Sequence, residues 1–118
     1  MNEIKFCYIA GPMNGMFNNN RYQFEFAQDH LQKNGFICTN PIDIMETYPK
    51  YNERQIMSVD IAALFKCDYI AMLPGWRESK GATTEILIAH RYGLKIIDAY
   101  TLEPIDVMIE LNFLIPKK

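Results

Sequence analysis

Three carboxylates stand where their neighbours could give them chemistry. Asp60 falls within a segment of helical periodicity, Asp68 closes it, and Glu85 follows the run Ser79-Lys80-Gly81-Ala82-Thr83-Thr84. A helix starting near Gly81 puts Glu85 in its first turn, where the helix dipole favours the ionised carboxylate. An ionised glutamate at the mouth of a crevice suits nucleophilic attack on an electron-poor carbon, and the same placement equally suits an acid that only complements the dipole. Asp60 lies on a helix turn free to face either way, and Asp68, just before a strand, reads as a cap or turn residue. Two loops, Gly11-Pro12-Met13-Asn14-Gly15 and Pro74-Gly75-Trp76-Arg77-Glu78-Ser79-Lys80-Gly81, each follow an apolar run and lead into a helix start, where free N–H groups suit an anion. On these features the site reads as one for a nucleotide or a phosphate. Neither GxxxxGK[ST] nor GxGxxG occurs, which removes the usual anchors of kinases and dehydrogenases. His30 and His90 form no HxxxH pair, so no metal-ligand spacing is present.

The elements that position these residues follow from hydrophobic patterning. Residues 4–10 are rich in β-favouring side chains and stop at Gly11-Pro12, which predicts a buried first strand. The asparagine-rich stretch 13–20 predicts a loop, and Tyr22, Phe24, Phe26, Ala27 and Leu31 predict a helix ending near Asn34-Gly35. Residues 36–38 predict a short strand stopped by Asn40-Pro41, with a long polar loop from there to about Tyr51. Ile56, Met57, Ile61, Leu64 and Phe65 recur at helical spacing, so a helix is expected from Arg54 to about Lys66. Residues 69–73 predict another buried strand, a helix runs from near Gly81 to Gly93, residues 94–97 predict a strand, and Pro104 opens a final helix. Strands alternating with helices predict an α/β domain over residues 1–118, a mostly parallel sheet of about four or five strands with helices on both faces. In such a sheet the ligand crevice lies outside the carboxyl ends of the strands.

A length of 118 residues fits one domain, and 49% hydrophobic against 22% charged residues supports a packed core rather than a disordered chain. With 12 Lys plus Arg against 14 Asp plus Glu, the net charge of −2 supplies no basic field, so no nucleic acid polymer is expected as a partner. Cys7, Cys38 and Cys67 have no CxxC spacing and are expected as reduced thiols. Neither a secretory apolar segment nor a run of the ~20 apolar residues that span a bilayer is visible, so a soluble cytoplasmic protein with no membrane partner is expected.

Tyr8-Ile9-Ala10-Gly11-Pro12, Asp60 with Cys67-Asp68-Tyr69-Ile70, and Ser79-Lys80-Gly81-Ala82-Thr83-Thr84-Glu85 resemble, in that order, the nucleoside 2-deoxyribosyltransferase superfamily over residues 6–108. The run Leu73-Pro74-Gly75-Trp76 is similar to that of its small uncharacterised bacterial and phage branch. The resemblance implies a Rossmann-like or flavodoxin-like sheet. It implies Glu85 as the nucleophile that attacks C1′ of a deoxyribose and expels the base, leaving an ester that water or a second base resolves. It also implies that Tyr8 orients this nucleophile, that Asp60 handles the proton at the nucleobase, and that the protein is a homodimer or larger homo-oligomer with shared sites.

Departures from the pattern leave the substrate open. The transferases carry an acid six residues before the nucleophile, where this chain has Ser79; in the superfamily's 5′-monophosphate hydrolases a serine there contacts the phosphate. Glu103-Pro104-Ile105-Asp106 resembles the segment that supplies an asparagine across the transferase interface, and a carboxylate there suits a free 5′-hydroxyl and repels a phosphate. Gly11, Asn14, Gly15, Asn18 and Gly81 are candidates to line the pocket, Trp76 to stack a base or a partner subunit or simply to pack, and Arg21 and Arg77 to meet a phosphate.

The activity expected is cleavage or exchange of the N-glycosidic bond of a small-molecule nucleoside or nucleotide, with no metal and no organic cofactor. A looser similarity joins Pro74-Gly75 and Gly81 to Glu85 with the PGGxGTxxE segment of cytokinin riboside monophosphate phosphoribohydrolases, interrupted here by an insertion. The alternative from another class is a non-catalytic nucleotide-binding module on the same fold, suggested by short or absent enclosing loops.

Overall fold

Side chains of β1 (Lys5–Ala10) alternate between two hydrophobic cores, Tyr8 and Ala10 entering one and Cys7 and Ile9 the other. A strand buried on both faces belongs in a parallel sheet covered by helices. The computed structural model, which describes residues 3–109, has that architecture. Among the described residues the sheet has four strands, in the order β2 (Phe36–Thr39), β1, β3 (Tyr69–Met72), β4 (Lys95–Asp98), and every neighbouring pair is parallel. Cys7 stands opposite both Cys38 and Tyr69, which places β1 at the centre. From β1 the chain goes first to one neighbour, β2, and then returns to the other, β3. The carboxyl ends of β1 and β3 therefore flank the point where the winding reverses, the ligand position of an open α/β sheet.

Helix α1 (Arg21–Lys33) buries Phe24, Ala27 and Leu31 in the core that receives Cys7 and Ile9. On the opposite face α3 (Glu53–Leu64) contributes Leu64, and α4 (Lys80–Arg91) contributes Ala82, Ile86 and Ala89. The thiols of Cys7, Cys38 and Cys67 are all free. No helix of the described residues is long and apolar enough to cross a membrane.

Several boundaries differ from the sequence expectation, each for a local reason. Asn40-Pro41 does end β2, but it also starts a helix, α2 (Pro41–Thr47), inside the predicted polar loop. The Asn40 side chain accepts a hydrogen bond from the Ile42 amide at 3.0 Å, and the proline sits where its missing N–H costs nothing. At α4 the cap is Ser79, whose hydroxyl accepts from the Ala82 amide at 3.1 Å, so the helix begins at Lys80 and Glu85 lies in its second turn rather than its first. Pro104 opens no helix: it bridges Ile97 in antiparallel fashion, and Asp106 caps the helical residues 107–109 through the Met108 amide at 3.0 Å. The rest of that expected helix lies outside the described residues.

The asparagines after β1 have a backbone reason. Asn18, Asn19 and Asn20 all adopt positive φ, the left-handed conformation that asparagine tolerates better than other side-chain-bearing residues. Asn20 then donates from its side chain to the Pro12 carbonyl at 2.9 Å, folding the loop back on its own start. At that start, a Cβ on Gly11 would lie 2.7 Å from the Cβ of Leu73, so only glycine lets the ends of β1 and β3 come this close. Gly11→Ala is accordingly expected to lower stability by roughly 1–3 kcal/mol through overpacking. A fall in the urea midpoint with an unchanged slope checks it; an unaltered midpoint would mean the two strand ends separate freely.

Candidate functional site

The loops that leave β1 and β3 open a crevice of about 490 Å³ at the switch point. One wall is the loop from Gly11 to Asn14, and another is the start of α4, from Ser79 to Ala82 with Glu85 beyond. The remaining wall comes from α2, α3 and the turn between them: Pro41, Met45, Tyr51, Ile56, Met57 and Asp60. Glu53, Glu78 and Lys80 stand at its exposed margin, with the Lys80 ammonium 3.4 Å from the Glu53 carboxylate.

Three buried polar groups meet at the floor. Tyr8, fully buried on β1, donates its hydroxyl proton to Glu85 Oε2 at 2.5 Å. Asp60, from the third turn of α3, is also buried, and its Oδ1 has no hydrogen-bond partner among the described residues. Burial pushes the Glu85 carboxyl up to about 8; the Tyr8 hydrogen bond pulls it down and the nearby Asp60 charge pushes it up further. Burial likewise raises Asp60 to about 7, with the Tyr8 hydroxyl opposing it. Tyr8 itself is held well above the ordinary phenol value by burial and by the two carboxylates, so it stays a donor. The expectation that the α4 dipole keeps Glu85 ionised is corrected on this point: in the second turn, nearly sealed from water, desolvation outweighs the dipole. Two carboxyls titrating in the neutral range beside one phenol can act as a nucleophile and an acid.

The structure brings Tyr8, Gly11, Asn14, Asp60, Ser79, Gly81 and Glu85 together at this crevice. Ser79 does so while serving as the α4 cap, so both readings of it describe one side chain. Gly15 lies outside the crevice wall, at φ +78 in the turn that follows it. Asn18 is likewise outside, in the left-handed run. Trp76 and Asp106 are not at this crevice either. Trp76 is 3% exposed and packs in the core beneath α4, and both residues face a separate groove with Pro74, Asp98 and Pro104. The reason is the short 3-10 turn of residues 76–78, which folds the tryptophan inward and leaves Arg77 stacked on its ring at 4.6 Å. Arg21 is engaged by Glu46 and by Glu25, away from the crevice. His30 meets the Tyr100 carbonyl at 2.8 Å. No three His, Cys, Asp or Glu side chains among the described residues come together as a metal-ligand set.

Sequence reasoning passed over the wall built by α2 and the turn after it, including Met45 and Tyr51. The signal was present in Asn40-Pro41, a cap followed by proline at the first helical position, with Asp43 in the first turn.

The sequence model of a domain of unknown function (DUF4406) matches residues 5–98, from the first residue of β1 to the last of β4. Every residue at the crevice floor falls inside that span, and Asp106 falls outside it. No curated protein matches the chain.

Because burial raises both floor carboxyls above their unfolded values, their contribution to stability is fully present below the ordinary carboxylate range. It is lost as pH rises through about 7 and about 8. Melting temperature is expected to fall by several degrees between pH 5 and pH 9, a slope that Glu85→Gln flattens; thermal denaturation across that range checks it.

Proposed function

The chain belongs to the DUF4406 family, and we propose that its crevice cleaves or exchanges the N-glycosidic bond of a 2′-deoxynucleoside, or of its 5′-monophosphate, through a covalent ester of Glu85. One observation carries the reading: the Tyr8 hydroxyl is bonded to Glu85 at 2.5 Å beside a second buried carboxyl, Asp60, where a parallel sheet receives its ligand. The order of Tyr8, Asp60 and Glu85 along the chain, similar to that of the nucleoside 2-deoxyribosyltransferases, supports it from the sequence side.

The productive form carries one charge, on Glu85, and one proton, on Asp60. In the free protein Asp60, at about 7, ionises before Glu85, at about 8, so this is the minor of the two singly ionised forms; the Tyr8 hydroxyl, which donates to Glu85, steadies the charge there once it forms. In the first displacement a Glu85 oxygen bonds to C1′ while the C1′–N bond breaks; the electron pair leaves with the base, which takes the Asp60 proton. In the second, a water oxygen or the nitrogen of another base bonds to C1′ and the bond to Glu85 breaks, while Asp60 accepts the proton of the incoming group. Both displacements pass through oxocarbenium-like transition states at one carbon, so configuration is retained. No metal or organic cofactor enters these steps. Asp106, which faces another groove of its own chain, serves in this reading a neighbouring copy within a homo-oligomer.

A non-catalytic nucleotide-binding module is supported by a different feature. With Glu85 raised to about 8, most of the free protein near neutral pH holds it protonated, a form that does not attack.

Incubation with deoxynucleosides and their monophosphates, with and without a second base, followed by chromatography of free base, tests the proposal. Release or exchange that Glu85→Gln lowers at least a hundredfold is the expected outcome. Thermal stabilisation by a nucleotide with no base released would instead favour the binding module.

The pH profile gives a separate check. Below about 7 both carboxyls are protonated and the nucleophile is lost, and above about 8 both are ionised and the acid is lost. kcat/KM is expected to be bell-shaped with its maximum between these values. Asp60→Asn should be slower and lack the alkaline limb; an unchanged limb would remove Asp60 from the role of acid.

A further inference from the structure

The aromatic residue that the crevice presents is not Trp76. That side chain is 3% exposed and faces a different groove, whereas Tyr51 stands in the crevice wall and is 43% exposed. The Tyr51 ring is stacked on Tyr48, with centroids 4.6 Å apart and planes inclined by 21°. The backbone beneath the pair is fixed as well. Tyr51 donates its amide to the Tyr48 carbonyl at 3.1 Å, and the next residue, Asn52, forms a reciprocal capping pair with Gln55 at 2.9 Å in each direction. The ring thus has one aromatic neighbour already in place and little freedom left to lose when a ligand arrives.

Beside Tyr51 the same wall carries Met45 and Met57, with Met13 contributed by the loop after β1. Thioethers adapt to irregular contacts and make favourable approaches to aromatic rings. The crevice is therefore divided: an apolar, aromatic and sulfur-rich wall from α2, α3 and the turn between them, and the polar floor of Asp60 and Glu85. A ligand that joins a planar ring to a hydroxyl-bearing part fits that division.

We propose that Tyr51 is the specificity-determining platform of this crevice, stacking the planar ring of the ligand while the floor carboxyls face its sugar. The inference rests on the reading of the crevice as a nucleoside site and adds what that reading lacks, a residue that holds the base. Stacking uses the π-face that every nucleobase has, so Tyr51 selects for a ring over none and discriminates weakly among bases. Its contribution is made equally before and during bond cleavage, so losing it raises KM and leaves kcat near its original value.

The test compares the unmodified protein with Tyr51→Leu, Tyr51→Phe and Trp76→Phe. Calorimetric titration with adenine, thymine and free 2-deoxyribose is combined with turnover of deoxyadenosine and thymidine. Tyr51→Leu is expected to weaken both bases about tenfold, leave 2-deoxyribose binding and the melting temperature unchanged, and raise both KM values by a similar factor. Tyr51→Phe, which keeps the ring, should bind the bases like the unmodified protein. Base affinity unchanged in Tyr51→Leu, or reduced only in Trp76→Phe, overturns the proposal, as does failure of both free bases to bind the unmodified protein. Weaker base binding in Tyr51→Leu without any base release from the nucleosides leaves the platform standing and removes the glycosyl chemistry. Base release with an indifferent Tyr51 does the reverse.

Discussion

A phenol sealed inside a protein must place its hydroxyl proton somewhere, and at the carboxyl end of β1 Tyr8 gives it to Glu85 at 2.5 Å. That bond joins the central strand to α4 across the core. It exists because β1 is buried on both faces, which leaves Tyr8 no water, and because α4 packs its second turn directly over the strand end. Desolvation then does to the carboxyl what it does to any charge removed from water, raising the pH at which it ionises. Asp60, brought in from α3, meets the same dry environment. The unusual acidity of the floor is thus a consequence of packing rather than of any unusual residue.

Packing of this kind opposes stability near neutral pH. Three helix starts are conventionally capped: Asn40, Asn52 and Ser79 each accept a backbone N–H with a side-chain oxygen. Around the floor, by contrast, an acceptor is left without a donor at Asp60 Oδ1, and three successive asparagines hold left-handed backbone in the adjoining loop. Departures of this sort are common at functional sites. Gly11 belongs to the same neighbourhood, since its missing Cβ lets the two strand ends converge on the crevice.

The second groove shows how one turn redirects a surface. A 3-10 turn after β3 tucks Trp76 under α4 and leaves Arg77 over its ring, while the antiparallel bridge from Ile97 to Pro104 carries Asp106 to the same side. The loop after β3 therefore serves two surfaces. Its first half completes the core and the second groove, and its last residues enter the crevice as the start of α4.

Much of this organisation was legible in the amino-acid order. Alternating apolar strands and amphipathic helices implied a parallel α/β sheet, and Gly11-Pro12 and Pro74-Gly75 marked the ends of its two central strands. Asp60 and Glu85 stood out by type and place in the chain, whereas Tyr8 was singled out only by the family resemblance. These features are local, decided by side-chain shape, backbone preference and hydrophobic period, and so they survive in a one-dimensional record. What tertiary structure alone decided was which side chains lose their water. The periodicity of α3 did not say that Asp60 faces inward, a helix start near Gly81 did not reveal that Glu85 is buried rather than poised at the surface, and a tryptophan in a loop left stacking and packing both open until the turn that folds it into the core was seen, with Tyr51 in the open position. Burial depends on what several distant segments bring to one point, and desolvation, the force that sets the acidity of this floor, is a property of that point rather than of any residue in the sequence.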